Sequence, residues 1–265
     1  MTTTTEEAAD RLERAAATGK PCAPVRDLIG DTDIDTAYAV QEIQTKNRLA
    51  QGARVIGRKI GLTSDAVRSQ FGVFRPDFGT LFNDMGYATG EPVPLRRLLQ
   101  PRVEAEVAFV LRTDIDLPDA SVADVLRATD FVLAAIEIVD SRVANWDIRI
   151  TDTVADNASS GLYTLGCVPF SLNGLDLAQV GMVIEHDGEP VSVGSGAACM
   201  GNPVVAVAWL AREVARRGAP LRAGEVILSG ALGPMVPVTE PGVFTARLDG
   251  LGEVQAVFTD DGGAR

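Results

Sequence analysis

Apolar residues recur at helical spacing in a few stretches of the chain and alternate or run together in most of the rest. In "EEAADRLERAAA", preceded by Thr5, Ala8, Leu12 and Ala15 fall on one face. Thr36 opens "AYAVQEIQTKNRLAQG", where Ala37, Val40, Ile43 and Ala50 keep near-helical spacing and Gly52 supplies a stop. These stretches predict a helical N-terminal region. The segment "GRKIGLTSDAVRSQFGVFRPDFGTLFNDMGYATGEP" breaks both periods with Gly, Pro and Asp. It predicts irregular backbone with a short helix started by Thr63 or Ser64. From Val103 onward, strand-like runs dominate: "VEAEVAFVL", "LAAIEIVDS", "GLYTLGCV", "VGMVIEH", "PVSVG", "EVILSG", "GVFTARLDG" and "EVQAVFTD". Two helices interrupt them. Ser121 and Asp124 form a capping box for "VADVLRATDFV". Pro203 stands at the first turn of "VVAVAWLAREVARRG". Strands outnumber helices and do not alternate with them, which predicts an α+β fold built on a mixed β-roll.

Composition narrows the chemistry. The chain has 265 residues, of which 46% are hydrophobic, enough for a large core. Its 24 basic and 36 acidic residues leave a net charge of −12, which repels nucleic acid and anionic membranes. The opening "MTTTTEEAADRLERAAATG" lacks the basic start and apolar stretch of a signal peptide, and no apolar run is long enough to span a bilayer. The expectation is a cytoplasmic protein. Cys22, Cys167 and Cys199 are few, odd in number and form no CxxC pair, so neither a disulfide framework nor a zinc site is indicated. The single histidine, His186, sits in "EHDGEP", which reads as a hairpin turn. A two-histidine metal site within one chain is thereby excluded. The Gly-rich "GSGAACMGNP" lacks the Gly-Lys-Ser/Thr of a phosphate loop. Trp146 and Trp209 read as packing residues.

Carboxylates carry the remaining signal. In "PRVEAEVAFV", Glu104 and Glu106 are two residues apart, so a strand points both the same way with origins about 6.6 Å apart. Their face continues into Ala108 and Val110, so it is not plainly solvent. In "LAAIEIVD", Glu137 lies in a run that is apolar on both faces, which marks a buried strand. A buried carboxylate is costly unless its charge is compensated. Arg102 could pair with Glu104, and Arg142 lies near Glu137 in sequence. Such ion pairs account for some of these acids. A divalent cation accounts for all three, and with no histidine or thiolate nearby Mg²⁺, Mn²⁺ or Ca²⁺ suits the donors best. The residues alone leave both readings open. By the same standard Lys59 reads as an exposed loop lysine and Asp77 as a turn residue after Pro76.

Taken together, "PVRDLIG", "GRKIGLTS", "PDFGTLFNDM", "PRVEAEVAFVL", "AAIEIVDSR", "DTVADNASSGLY", "GSGAACMGNP" and "ILSGALGPMVPV" resemble the 2-keto-4-pentenoate hydratase (2-hydroxypenta-2,4-dienoate hydratase) family of the fumarylacetoacetate hydrolase superfamily. The likeness runs over nearly the whole chain. It implies a mixed β-roll or sandwich of the fumarylacetoacetate hydrolase C-terminal type, divided into a helical N-terminal region over 1–75 and a mixed-β catalytic domain over 76–265. It places metal ligands at Glu104, Glu106 and Glu137, with Mg²⁺ or Mn²⁺ as the cation, and proton transfer at Lys59 and Asp77. Ser159 and the Ser229, Gly230, Ala231 segment match stretches that border the substrate. A lysine beside a cation in a partly dry pocket is expected to have a lowered pKa. The implied activity is hydration of 2-hydroxypenta-2,4-dienoate to 4-hydroxy-2-oxopentanoate in aromatic-compound catabolism. The alternatives are a 4-oxalocrotonate (2-oxo-3-hexenedioate) decarboxylase on the same scaffold and a non-catalytic scaffold member. The implied partners are a small 2-oxo or 2-hydroxydienoate substrate, further copies of the chain in a homo-oligomer, and an associated pathway enzyme.

Overall fold

The computed structural model of the chain describes residues 3–64 and 75–260. The predicted short helix after Thr63 and Ser64 falls on residues outside that set. Helix α1 (Thr4–Thr18) starts from a capping box between Thr3 and Glu6, ends at left-handed Gly19, and buries Ala8, Ala9, Leu12 and Ala15. After the single turn α2 (Arg26–Ile29), α3 (Ile34–Ala50) is capped by Asp33, which accepts the Thr36 N–H. Thr36 is therefore inside the first turn and does not open the helix, because Asp33 already offers a shorter and charged acceptor. The remaining α-helices among the described residues are α4 (Val122–Ala128), α5 (Ile150–Ala155) and α6 (Pro203–Arg216). The Ser121–Asp124 capping box and the first-turn Pro203 are both present. The helix from Val122 stops at Ala128, four residues short of the predicted end, because Thr129 begins a long central strand.

Thirteen strands form among the described residues: β1 (Val55–Gly61), β2 (Asp77–Phe82), β3 (Gly86–Ala88), β4 (Pro92–Pro94), β5 (Pro101–Leu111), β6 (Thr129–Asp140), β7 (Ser160–Leu165), β8 (Gly181–His186), β9 (Glu189–Ser195), β10 (Val226–Leu228), β11 (Val236–Pro237), β12 (Gly242–Leu248) and β13 (Gly252–Thr259). One sheet runs β2-β1-β10-β5-β6-β7-β3, with β11 also paired to β5. The other runs β4-β13-β12-β8-β9 and packs against β5, β6 and β7. Val103, Ala105, Val107, Phe109, Ile136 and Ile138 are almost fully buried in this core. The α+β expectation and the strand runs after Val103 hold.

The segment read as irregular before Val103 contains most of β1 and all of β2 and β3, three strands of the larger sheet. Glycine obscures their periodicity but is required where backbones meet. A Cβ on Gly57 would lie 1.8 Å from the Val226 carbonyl oxygen. On the other side, α3 is tied to the sheet through buried Gln41, whose Nε2 donates to the carbonyls of Phe78 and Val154 at 3.0 and 2.9 Å. His186 sits at the β8–β9 turn, where Asp187 and Gly188 have φ of 49° and 91°, and its ring stacks on Phe244. No helix among the described residues is long and apolar enough to cross a membrane.

Candidate active site and metal centre

Strand register brings the three glutamates together. In the antiparallel β5–β6 pair, Glu104 lies directly opposite Glu137, and Glu106 opposite Ala135. Opposed residues project to the same side, and Glu104 and Glu106 share a face, so all three carboxylates meet on one surface of the sheet. Each offers an oxygen within 4.8 Å of the others. All three are buried, Glu106 completely. Register also delivers the lysine. Lys59 pairs with Leu228, and Leu228 with Ala108, which lies on the glutamate face. Lys59 also pairs with Gly79, two residues from Asp77, so Asp77 joins the same face.

The site oxygens are undersupplied with donors. Glu106 Oε2 accepts the Gly230 N–H at 2.7 Å. Glu106 Oε1, both Glu137 oxygens and Asp77 Oδ1 have no hydrogen-bond partner among the described residues. Lys59 Nζ stands 3.1 Å from Glu137 Oε1 as an ion pair, off the hydrogen-bonding direction, and donates to the Ala158 carbonyl at 2.8 Å. One ammonium cannot balance four buried carboxylates. Converging hard oxygens without donors fit a divalent cation, which satisfies such acceptors directly.

Burial and mutual repulsion set the titration. Burial, reinforced by Glu137, pushes the Glu104 carboxyl up to about 7. Burial likewise raises Glu106, Glu137 and Asp77. For Lys59 burial pulls the ammonium down, but Glu137, Asp77, Glu104 and Glu106 together hold it above the ordinary lysine range. The expected lowering of the Lys59 pKa assumed a cation's positive field, whereas the metal-free carboxylates exert the opposite one. A pH dependence follows. The Glu104 carboxyl titrates near 4.5 unfolded and about 7 folded, so folding favours its protonated form. That contribution is full below the unfolded value and is lost as pH rises through the folded one. Metal-free protein is expected to melt lower at pH 8 than at pH 5.5, by up to roughly 2 kcal/mol from this group. Adding the divalent cation is expected to close the gap. Chelator-treated and metal-loaded melting curves across this range check both.

A strained turn covers the lysine. Asn157, Ala158 and Ser159 are all left-handed, with φ of 53°, 52° and 51°. For non-glycine residues this costs energy and persists only where the surroundings impose it. Arg142 imposes it: its guanidinium pairs with buried Asp156 and donates to the carbonyls of Asp140 and Ser160, while its N–H bonds Asp156 Oδ2. Asn157 adds two hydrogen bonds to the Thr80 backbone. Gly79 lets the turn approach, since a Cβ there would lie 2.3 Å from the Asn157 carbonyl oxygen. Thr153 Oγ1 donates to Asp77 Oδ2 at 3.1 Å and lies 3.5 Å from Ser159 Oγ.

A cavity of about 50 Å³ opens beside these groups, lined by Lys59, Asp77, Glu104 and Ser159 at its polar end and by Trp146, Ile148 and Met235 at the other. Gly230 reaches the site through its N–H, Ser229 is fully buried and Ala231 nearly so, and none of the three lines the cavity. Thr153 and Ala158 were missed in the sequence reading although "DTVADNASSGLY" contains both; Ala158 acts through its carbonyl, which no side-chain pattern encodes.

Comparison with known proteins agrees with this geometry. A family model described as fumarylacetoacetate (FAA) hydrolase C-terminal matches residues 65–259. A "TodF product hydratase" of Pseudomonas putida is 58% identical over 252 residues, covering 95% of this chain and 94% of the relative. A "2-keto-4-pentenoate hydratase" of Paraburkholderia xenovorans is 55% identical over 253 residues, covering 96% and 94%. The chain belongs to the 2-keto-4-pentenoate hydratase family, within the fumarylacetoacetate hydrolases. The fold of this hydratase family member is similar to the structure of a 4-oxalocrotonate decarboxylase from Pseudomonas putida complexed with magnesium and adipate. That match has a TM-score of 0.91, 35% identity and 96% coverage of both chains.

Proposed function

We propose that this protein hydrates 2-hydroxypenta-2,4-dienoate (2-keto-4-pentenoate) to 4-hydroxy-2-oxopentanoate in aromatic-compound catabolism, with Mg²⁺ or Mn²⁺ as its cation. The convergence of Glu104, Glu106 and Glu137 beside Lys59 and Asp77 carries this reading. The hydratase names of relatives at 55–58% identity support it.

Glu104, Glu106 and Glu137 hold the cation in this reading. When bound, it supplies Lewis acidity at the substrate's 2-oxygen and a template for the neighbouring carboxylate. The protein's own groups do the rest. Asp77, anchored by Thr153 at Oδ2 and raised by burial, presents Oδ1 as a proton carrier. Lys59, fixed over the cavity by Ala158 and Glu137, presents Nζ. We assign these two groups the delivery of a proton to C5, which gives a conjugated 2-oxo-3-enoate, and the activation of the water that adds at C4. Ser159 borders the substrate, and the Ser229–Ala231 segment orients Glu106 through the Gly230 N–H. In the same reading the helical N-terminal region over 1–75 also contributes strand β1, which carries Lys59 into the sheet of the mixed-β catalytic domain over 76–265. Cytoplasmic residence is supported by three unpaired cysteines. Assembly into a homo-oligomer is supported by exposed Val191 and Val193 on strand β9, which ends its sheet.

Purified protein supplied with Mg²⁺ or Mn²⁺ is expected to bleach the ultraviolet absorbance of the dienoate without evolving gas, and chelator is expected to stop it. CO₂ release from 2-oxo-3-hexenedioate with no action on the dienoate would replace this reading with the decarboxylase. Inactivity on both, together with melting that chelator does not change, would leave a non-catalytic scaffold.

A further inference from the structure

Arg102 occupies the strand position two residues before Glu104, on the carboxylate face. The ion pair with Glu104 that the sequence allowed does not form. The guanidinium instead lies over the indole of Trp146, 4.4 Å from the ring centroid. Its one hydrogen bond within the described residues is from Nη1 to the Met235 sulfur at 3.3 Å, a weak acceptor. Arg142, the other arginine near the site, is fully engaged with Asp156 and carbonyls. Arg102 is half-buried and keeps most of its five N–H donors uncommitted; it does not itself line the cavity but stands behind Trp146 and Met235, which do.

Its support is built. Trp146 and the preceding Asn145 are both left-handed, with φ of 54° and 60°. Gln100 holds them there. Its Oε1 accepts the Asn145 N–H at 2.7 Å, its Nε2 donates to the Ser141 and Val143 carbonyls, and its own carbonyl accepts the Trp146 indole N–H at 3.1 Å. The indole is thus a fixed plate, and a guanidinium stacked on such a plate keeps its hydrogen-bonding edge free for a planar anion.

The geometry points to Arg102 as the residue that receives the carboxylate of the substrate, orienting it with that end beside Trp146 and Met235 and the reacting carbons toward Lys59 and Asp77. The inference rests on the proposed function for the identity of the substrate. Its chemistry is general: a 2-oxo acid gripped through one carboxylate oxygen and its 2-oxygen still offers a second carboxylate oxygen, which a guanidinium satisfies.

Arg102→Met keeps an apolar stem over Trp146 and removes the charge. With the dienoate, KM is expected to rise roughly 10- to 100-fold while kcat changes by less than about 3-fold, and Arg102→Lys is expected to recover part of the loss. Tryptophan fluorescence supplies a readout without turnover. In the presence of Mn²⁺, 2-oxopentanoate is expected to bind Arg102→Met more weakly by a similar factor, whereas uncharged 2-oxopentanamide binds both proteins alike. Equal weakening of both probes would make Arg102 merely structural, and an unchanged affinity for the acid would remove it from recognition; either result overturns the inference. Failure of the unaltered protein to hydrate the dienoate would remove the functional reading alone, since the titration does not depend on turnover.

Discussion

Glu106→Gln is expected to abolish turnover and at the same time to raise the melting temperature of the metal-free protein. Glu106 is completely buried, its Oε1 lacks a donor among the described residues, and Glu137 and Glu104 repel it. An amide of the same shape keeps an acceptor for the Gly230 N–H and removes a carboxyl that the metal-free fold can bury only by taking up a proton or bearing an unfavourable charge. On the proposed assignment the same change deletes one of three hard ligands. Groups that only support a ligand are worth about 10- to 100-fold in metal affinity or activity, so loss of the ligand itself is expected to exceed about 100-fold. Paired measurements decide it: calorimetric titration with Mn²⁺ and melting in chelator. A variant that binds Mn²⁺ as tightly as the unaltered protein, or one that melts lower without metal, would contradict the assignment. Stability and activity are opposed at this residue, as expected where a site holds unsatisfied groups for function.

Lys59→Met is expected to separate chemistry from metal binding. If Lys59 moves a proton, kcat falls by about 10²- to 10⁴-fold. Metal binding survives and tightens, because the ammonium 3.1 Å from Glu137 no longer competes with the cation for the carboxylates. Stability moves opposite to that of Glu106→Gln. Without metal, removing the cationic partner of a buried pair costs about 3–5 kcal/mol, so the variant is best purified with Mn²⁺ present. The combined signature is low kcat, retained metal and a metal-free state that melts early. Undiminished turnover by metal-loaded Lys59→Met would remove the lysine from the mechanism.

The strands after Val103 could be read because their apolar runs are long and bounded by turn residues, and β5 and β6 extend them over 11 and 12 residues. The glutamates could be read for the same reason: Glu104 and Glu106 share a face by period alone, and Glu137 stands out among apolar neighbours. Their direct opposition across the two strands could not be read, since register is a property of the pair and not of either segment. Lys59 and Asp77 were visible only through family resemblance. Gly57, Gly61 and Gly79 around them mask two strands: Gly57 and Gly79 answer to backbones distant in sequence, and Gly61 makes room for the Asp77 carboxylate. The stacking of Arg102 on Trp146 could not be read either: the sequence offers Arg102 as a partner for Glu104, its neighbour in the chain, whereas its neighbour in space is the indole.

The opposition of Glu104 and Glu137 has a consequence for folding. Had β5 slipped by a single residue along β6, Glu104 and Glu106 would point into the space between the sheets, and Val103 and Ala105 would replace them at the ligand positions. Only the native alignment can assemble the trio, so, on the proposed assignment of these ligands, cation capture would proofread the central β5–β6 strand pair and lock out shifted pairings.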